Sequence, residues 1–267
     1  MRPVGDAWRA AYHPSVAESL TLLIPVYNGG AFLARSLERA IEFLGSMDRR
    51  AELLVIDDGS TDETPRILSA CRSDVLRVLR NERNRGKGHA VRRGLLEAKG
   101  ELIVFTDADL TYPLENVQKM LEVLGSGADV AYGSRMHSES RYVVAPGFFE
   151  KLFTRHLMGR SFNLLTRALV LPGVRDTQAG LKGFRRPAAR ELAERMQLER
   201  FSFDLELLFI ARQLGLDIRE SPVLFVYNKE RTTVRFARDA VSMLGDMLRV
   251  RWRGVSGAYH REINPDE

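Results

Sequence analysis

Two aspartates separated by one residue follow an apolar run in the segment FTDADLTYP, residues 105–113. Carboxylate oxygens are hard ligands that suit Mg²⁺ or Mn²⁺, so Asp107 and Asp109 could hold a metal ion against the phosphates of a substrate. Such an ion takes up charge on a departing pyrophosphate. An Asp-x-Asp pair alone is most often a solvated turn, so its meaning depends on where the fold places it.

A second segment with chemical potential is NRGKGHAV, residues 84–91. It is not a P-loop, because Gly88 follows Lys87 where that motif requires Ser or Thr. A lysine between glycines near a helix start can still hold a phosphate through its charge and backbone N–H groups. A third segment, DDGSTDET, is not a calcium loop, because Glu63 stands where such a loop needs glycine.

The elements that must position these residues alternate along the chain. Apolar runs that end in polar turns indicate strands, and apolar residues at helical spacing indicate the helices between them. Strands are predicted within 20–27, 51–60, 75–80, 101–108 and 129–135, and helices within 31–44, 61–71, 90–99 and 113–124. This alternation predicts an α/β fold with a single open, mostly parallel sheet flanked by helices.

In open sheets of this kind, ligands bind beyond the carboxyl ends of the strands. That rule brings together residues from four predicted turns. They are Pro25, Tyr27, Asn28, Asp57, Asp58, Asn84 to Gly88, Asp107 and Asp109. Four carboxylates and a Gly-Lys-Gly turn are therefore expected at one edge of the sheet.

The region 136–175 has a different character. Within 147–171, apolar and basic residues separate onto different sides at helical spacing, and the basic ones include Lys151, Arg155 and Arg160. This pattern suits a helix that lies on a membrane surface. An amphipathic helix packed on the sheet fits the same pattern.

Composition sets broad limits. The chain has 267 residues, 45% of them hydrophobic, which is enough for one large α/β domain. Its single cysteine, Cys71, excludes a disulfide framework and a Cys-based metal cluster. The net charge of +5 favours an anionic partner, although an arginine-rich surface explains it as well. The sequence contains no apolar run of signal-peptide or membrane-spanning length, so a soluble or peripheral protein is expected.

Seven motifs occur in one order between Leu20 and Arg251: PVYN, VIDDGSTDET, NRGKGHAVRRG, FTDADLTYP, YGSR, DTQAGLKGFRR and FDLELLFIARQLG. Together they resemble the inverting, metal-dependent glycosyltransferases of family 2, most closely the dolichyl-phosphate glucosyltransferase and dolichyl-phosphate mannose synthase branch. The resemblance implies a GT-A fold with C-terminal amphipathic helices on the acceptor side. It divides the chain into an N-terminal extension (1–19), a nucleotide-sugar half (20–135), an acceptor half (136–251) and a C-terminal tail (252–267).

The resemblance implies donor-binding roles for Pro25, Tyr27, Asp57, Asp58, Lys87, Asp107, Lys229 and Arg231. It makes Asp107 and Asp109 the ligands of Mg²⁺ or Mn²⁺, with Asp109 counted as catalytic. Lys229 and Arg231 fall where relatives have a loop that closes over the donor, and ordinary surface charge fits them equally well.

Two departures from the family pattern concern the donor. Gly29 stands where the family usually has glutamate, and this affects the expected recognition of the base. Thr111 stands where mannose synthases often have glutamine beside the metal. Because DADLTYP is closer to the glucosyltransferase pattern, UDP-glucose is the favoured donor and GDP-mannose the next.

On the acceptor side, Arg135 and Arg160 match basic positions that receive the acceptor phosphate in polyprenyl-phosphate enzymes and count as catalytic. Asp176 and Gln178 are expected near the acceptor. A hydroxyl acceptor needs a carboxylate base, whereas a phosphate is already an anion at neutral pH. In hydroxyl-accepting relatives a Glu-Asp pair supplies that base. Here only Asp204 of the pair is present, as a candidate base or as a residue that positions others.

The expected reaction is metal-dependent, inverting transfer of a hexose to a polyprenyl or dolichyl phosphate, by a protein at the cytoplasmic face of a membrane. One alternative is a soluble transferase that acts on a hydroxyl acceptor with Asp204 as its base. Another is a non-catalytic module that binds nucleotides or nucleic acid. The acids at the sheet edge and an aromatic content of 8% argue against a nucleic-acid partner.

Overall fold

The structure is a computed structural model that describes residues 19–144, 166–200, 202–227 and 236–259, the side chains of 236–242 excepted. Its first four strands are β1 (Leu20–Val26), β2 (Ala51–Asp57), β3 (Leu76–Arg80) and β4 (Leu102–Thr106). β1 pairs in parallel with β2 and β4, and β2 pairs in parallel with β3. The register aligns Val26 with Asp57 and Asp57 with Arg80, so these strands end at a common edge.

The helices between these strands are α1 (Leu33–Gly45), α2 (Thr64–Ala70), α3 (Lys87–Glu97) and α4 (Glu115–Gly125). They form because their apolar residues recur at three- and four-residue spacing and cover the sheet. In α1, for example, Leu33, Leu37, Ala40 and Leu44 are buried. The helix predicted from residue 90 begins at Lys87, which places that lysine in the first turn.

Three further strands complete the sheet: β5 (Val130–Ser134), β7 (Leu181–Arg185) and β8 (Ile218–Pro222). The strand order is β3-β2-β1-β4-β7-β5-β8. β7 lies antiparallel between β4 and β5, and β8 is parallel to β5. The predicted α/β fold with a mostly parallel, helix-flanked sheet is confirmed, with β7 as an antiparallel insertion that the alternation pattern does not contain.

A separate two-stranded parallel sheet is formed by β6 (Arg141–Val144) and β9 (Leu224–Tyr227). The remaining helices are α5 (Arg186–Arg195), α6 (Phe203–Gln213) and α7 (Phe236–Val255). The packed domain extends past the predicted boundary at residue 251. Tyr259 is fully buried, and its hydroxyl donates a hydrogen bond to Glu206 Oε1 at 2.8 Å.

Several predicted features lie outside the described residues. They are the extension up to residue 18, most of the basic segment 147–171 with Arg160, the loop that contains Lys229 and Arg231, and the tail from residue 260. Within the described part of the chain, no helix combines the length and the apolar composition that crossing a membrane requires.

Candidate active site

The loop after β4 holds the two aspartates in a tight turn. Leu110 has a left-handed φ of 49°, and its N–H donates to the Asp107 carbonyl oxygen at 3.1 Å. Asp109 Oδ1 accepts a hydrogen bond from Thr111 N–H at 3.0 Å. A non-glycine residue in this conformation costs roughly 1–3 kcal/mol and is typical of functional loops. Burial and the neighbouring charge of Asp107 raise the pKa of Asp109.

Lys87 reaches this loop from the first turn of α3. Its Nζ donates to Asp107 Oδ1 at 2.5 Å and lies 5.2 Å from the centre of the Phe105 ring. Burial lowers the pKa of Lys87, but the carboxylates of Asp107 and Asp204 outweigh burial and raise it above its usual value. Lys87 is therefore a fixed positive charge beside Asp107 at neutral pH.

Asp58 positions the loop that carries Lys87. Its carboxylate accepts hydrogen bonds from Gly86 N–H at 2.7 Å, from Arg85 N–H at 3.1 Å and from Asn81 Nδ2 at 2.6 Å. Gly86 has φ of 112°, and a Cβ there would lie 2.3 Å from the Glu199 carbonyl oxygen, so the turn requires glycine. The structure thus gives Asp58, predicted as a donor ligand, a clear positioning role.

Asp57 keeps some hydrogen-bonding capacity. Its Oδ1 accepts from Ser60 N–H at 2.9 Å, and its Oδ2 lies 3.3 Å from Arg80 Nε. Among the described residues, that buried Oδ2 has no hydrogen-bond partner. A buried acceptor without a partner is costly, so Asp57 Oδ2 is suited to accept an N–H or O–H group from a ligand.

The turn after β1 lies beside the turn after β2. Asn28 N–H donates to Ser60 Oγ at 2.9 Å, and Asn28 Oδ1 accepts from Thr61 N–H at 2.9 Å. Tyr27 is 43% exposed, which leaves its ring available for a planar ligand, whereas Pro25 is buried within β1. The donor-binding roles of both residues stay predictions.

Gly29 occupies a position without room for a side chain. A Cβ there would lie 2.7 Å from Val26 Cγ2 and 3.2 Å from the Phe32 ring. Glycine at this position, unlike the glutamate usual in the family, fits its surroundings, because Val26 and Phe32 occupy the space that a side chain would need.

Gly180, just before β7, packs against the other side of the loop after β4. Its carbonyl oxygen accepts from Asp107 N–H at 3.2 Å, and a Cβ on Gly180 would lie 2.0 Å from Asp107 Oδ2. Only glycine lets the carboxylate occupy this position.

Lys182, which follows on β7, is a residue that sequence reasoning missed. It is fully buried and donates to the Asp204 carboxylate, to the Ala179 carbonyl oxygen at 2.8 Å and to the Thr177 carbonyl oxygen at 3.2 Å. All three N–H donors of its ammonium group therefore have acceptors. The sequence signal that could have indicated a buried lysine is its position between apolar residues in the strand segment GLKGF.

Asp204 lies in the first turn of α6 and is 4% exposed. Burial raises its pKa, while the charges of Lys182 and Lys87 oppose that rise. The carboxylate is therefore held between two lysines inside the domain. Such a position suits a residue that orients others better than one that meets a substrate hydroxyl.

Arg135, directly after β5, is held by Asp176. The guanidinium donates to Asp176 through Nε at 2.7 Å and Nη2 at 2.9 Å, and Arg135 N–H adds a third bond at 3.0 Å. The Asp176 side chain has no exposure, while that of Arg135 is 28% exposed. Burial raises the pKa of Asp176, but Arg135 outweighs burial and brings it below the usual value. Near this pair, Gln178 Nε2 is buried without a partner among the described residues.

The donor atoms at the loop after β4 fit a divalent cation of the hard class. Asp107 and Asp109 supply carboxylate oxygens, and the influence of Asp107 on the pKa of Asp109 shows that the two repel each other. No group of three or more His, Cys, Asp or Glu side chains suited to a metal occurs in the part of the chain that the structure describes. Two carboxylates supply the hard oxygen ligands that suit Mg²⁺ or Mn²⁺, and such ions usually keep waters and substrate phosphates as further ligands.

The mostly parallel sheet and the paired carboxylates at its carboxyl edge agree with the GT-A fold that the motifs imply. The chain belongs to glycosyl transferase family 2, which it matches over residues 21–193. It is therefore an enzyme that transfers a sugar, and the family that the motifs resemble is confirmed.

Relatives and solved structures agree with this assignment. The chain is 32% identical to the dolichyl-phosphate beta-glucosyltransferase of Homo sapiens over 93% of its own length and 79% of the relative. It also resembles the crystal structure of glucosyl-3-phosphoglycerate synthase from Mycobacterium tuberculosis in complex with UDP, with a TM-score of 0.61 and 22% identity over 88% of this chain and 80% of that one. A structure of the same enzyme with Mn²⁺, UDP-glucose and phosphoglyceric acid gives a TM-score of 0.57 at 22% identity, covering 89% and 79% of the two chains. At this identity the two structures support the GT-A fold alone.

Proposed function

We propose that the protein transfers glucose from UDP-glucose to a dolichyl or related polyprenyl phosphate, with inversion at the anomeric carbon and with Mg²⁺ or Mn²⁺ bound. GDP-mannose is the second candidate donor. The similarity to the human dolichyl-phosphate beta-glucosyltransferase, which spans 93% of this chain, supports this choice of sugar and acceptor. The observation that carries the proposal is the pairing of Asp204 with buried Lys182, because it engages the one residue predicted as a base for a hydroxyl acceptor.

The donor would lie along the carboxyl edge of the sheet. Asp57 Oδ2 is suited to accept a hydrogen bond from the base or ribose, and the exposed Tyr27 ring can stack on the base. Asp107 and Asp109 would hold the metal, which when bound supplies positive charge to the pyrophosphate. Lys87 adds a fixed positive charge beside Asp107.

The acceptor phosphate would meet Arg135. Asp176 holds the guanidinium in one orientation, which reduces the entropy lost when an anion binds. Arg160 is the second basic residue proposed for this phosphate, and Gln178 Nε2 is a further available donor.

In the proposed step, an acceptor phosphate oxygen attacks the anomeric carbon as the bond from that carbon to the nucleoside diphosphate breaks. The bonding electrons pass to the leaving phosphate oxygen, where positive charge fixed in advance stabilises them. No proton has to be removed from the acceptor, because a phosphate is anionic at pH 7. An α-linked donor gives a β-linked product. We further propose that the protein works at the cytoplasmic face of a membrane, where a lipid acceptor is presented.

The test uses a matched pair of acceptors, dolichyl phosphate and dolichol, which share a lipid chain and differ in the phosphate. Each is offered with radiolabelled UDP-glucose or GDP-mannose and Mn²⁺, and label is partitioned between organic solvent and water. We expect manganese-dependent organic label with dolichyl phosphate and UDP-glucose only. Transfer to dolichol, or to soluble hydroxyl acceptors alone, would overturn the phosphate assignment and return Asp204 to the role of base.

The metal assignment has its own variant and control. We expect Asp109→Asn to remove transfer without unfolding the protein, since the change keeps the side chain's shape and removes one ligand charge. Asp74→Asn is the matched control, because Asp74 is exposed and precedes β3 at the opposite edge of the sheet. Wild-type rates in Asp109→Asn would refute the assignment.

A further inference from the structure

Helix α7 presents an apolar stripe to solvent. Four of its residues, Leu244, Leu248, Trp252 and Val255, are 43%, 65%, 69% and 82% exposed. At 100° per residue, they fall within about 80° of one another around the helix axis. Large apolar residues on a monomer surface are usually scattered, so a continuous stripe marks an interaction surface.

The stripe is not the result of a loosely packed helix. On the adjoining face of α7, Met247 and Val250 are fully buried. Gly254 packs so closely on α6 that a Cβ would lie 2.4 Å from the Phe209 ring. One face of α7 therefore packs on the domain, and the apolar stripe lies on a face that does not.

A pocket of about 480 Å³ adjoins the stripe, between α6, α7 and the segment near residue 171. Arg212 and Arg251 line it, and Val255 belongs to both the pocket and the stripe. Each arginine donates to a backbone carbonyl: Arg212 Nη1 to Pro172 at 2.5 Å and Arg251 Nη1 to Leu169 at 2.7 Å.

The charges at this face are positive. Neither Arg212 nor Arg251 forms an ion pair with any residue that the structure describes, whereas Arg249 and Arg253 on the same helix pair with Asp246 and Glu206. A guanidinium has five N–H groups, so donors remain for an anion at the pocket. Apolar side chains and cationic donors therefore lie side by side on one surface.

We propose that this face docks on an anionic lipid membrane. The stripe enters the boundary between head groups and acyl chains, and Arg212 and Arg251 receive lipid phosphates. Helices that lie in a membrane interface combine an apolar face containing Trp or Leu with basic residues beside it, and Trp favours that depth. The docking rests on the proposed function, which calls for a lipid acceptor, and its test uses no catalysis.

A second copy of the chain fits this surface less well than a membrane. In a two-fold dimer the same patch meets itself, which would bring the arginines of one copy towards those of the other. Anionic lipid head groups instead supply the opposite charge at the pocket and an apolar medium at the stripe.

The experiment measures co-sedimentation of the full chain with vesicles of phosphatidylcholine alone or with 30% phosphatidylglycerol. We expect binding that prefers the anionic vesicles and that falls at least about tenfold in Leu248→Glu, because one apolar side chain loses its burial. Leu96→Glu is the matched control, since Leu96 is a 40% exposed leucine on α3, and it should bind as the wild type does. Arg212→Gln and Arg251→Gln should each lose about fivefold on anionic vesicles and little on neutral ones.

Fluorescence gives an independent readout of the stripe. The chain has two tryptophans, Trp8 and Trp252, so Trp8→Phe leaves Trp252 as the only indole. We expect its emission to shift to the blue on anionic vesicles, because an exposed ring enters an apolar medium. Thermal unfolding confirms that each variant is folded.

The outcomes separate the alternatives. Unchanged vesicle binding in Leu248→Glu, or no vesicle binding by the wild type, overturns the proposal. A wild-type dimer that Leu248→Glu converts to a monomer, with vesicle binding unaffected, overturns it in favour of a second copy. Transfer to a short-chain polyprenyl phosphate in detergent reports the proposed function separately, and it should be intact in Leu248→Glu.

Discussion

The buried pair of Lys182 and Asp204 allows a base to be distinguished from a positioning residue. Replacing Lys182 with Met keeps the length of the side chain but removes the ammonium group. Asp204, 4% exposed, then loses its ion-pair partner, and the carbonyl oxygens of Ala179 and Thr177 lose a donor. Removal of one partner from a buried pair costs about 3–5 kcal/mol.

Asp204→Asn is expected to cost a similar amount, because it leaves the Lys182 ammonium in a site with no exposure and without a counter-charge. That is a large part of the roughly 5–15 kcal/mol of a typical domain. The double variant removes both charges and leaves neutral groups of similar size. We therefore expect it to be about 2–3 kcal/mol more stable than the sum of the two single effects predicts, since contacting residues couple by amounts of this order.

The assay combines urea unfolding with transfer rates for the wild type, both single variants and the double variant. If Asp204 positions Lys87 and the loop after β4, variants that lack it lose only part of the transfer rate, and the folded double variant stays measurably active. If Asp204 is the base, every variant without it is inactive, however well folded. A folded but inactive double variant, or free energies of unfolding that add within about 0.5 kcal/mol, would refute the positioning role.

An exposed pair serves as the control for this cycle. Arg190 Nε and Glu194 Oε1 lie 3.1 Å apart on the surface of α5, with side chains 74% and 34% exposed. The same cycle with Arg190→Met and Glu194→Gln should give a coupling of at most about 0.5 kcal/mol. A coupling as large as that expected for the buried pair would show that the measurement does not report burial.

Two further predictions concern the loop after β4 and the pair of Arg135 with Asp176. Gly180→Ala should lower transfer about a hundredfold, because the new Cβ displaces the Asp107 carboxylate, while Gly125→Ala, where a Cβ meets nothing within 4 Å, should not. Asp176→Asn should cost about 2 kcal/mol at pH 7 in urea unfolding, because charge-assisted bonds to Arg135 are lost. Since the folded state lowers the pKa of Asp176, this contribution is present above its ordinary pKa of 3.8 and is lost as the pH falls through the folded-state value, so wild type and variant should converge in acid. Curves that stay parallel down to pH 2 would contradict that assignment.

Periodicity predicts the nucleotide-sugar half of the fold well, because its signals are local. Each apolar run from β1 to β5 ends in a polar turn, and parallel pairing then brings those turns to one edge. The contact of Lys87 with Asp107 is a consequence of this rule. Periodicity does not predict β7. This strand comes well after β5 in the chain but lies antiparallel between β4 and β5 in the sheet.

The positioning residues escaped prediction for a related reason. The acceptor role of Asp176 stays a prediction, and its contact with Arg135, 41 residues earlier, has no local pattern that joins the two. The donor role of Asp58 also stays a prediction, and its hydrogen bonds from the loop that precedes α3 are a feature of the fold. A carboxylate with a ligand role and one with a positioning role look the same in a sequence, since the difference lies in which donors the fold brings near.

Charge alternates from the surface of the site to its interior in the order Asp107, Lys87, Asp204, Lys182. The side chains of the first two are 28% and 26% exposed, and those of the last two are 6% and 0% exposed. Asp107 pairs with Lys87 and Asp204 pairs with Lys182, while the charge of Asp204 acts on Lys87 through space and raises its pKa. The innermost lysine is also held by backbone carbonyl oxygens. Charges held in advance stabilise a leaving diphosphate without reorganising during the reaction, which is the largest contribution that many active sites make. This arrangement accounts for the ion pair between Asp204, which stands at the position of a base, and the buried Lys182. With the proposed phosphate acceptor no proton has to be removed, so the carboxylate is free to balance the charges of Lys182 and Lys87.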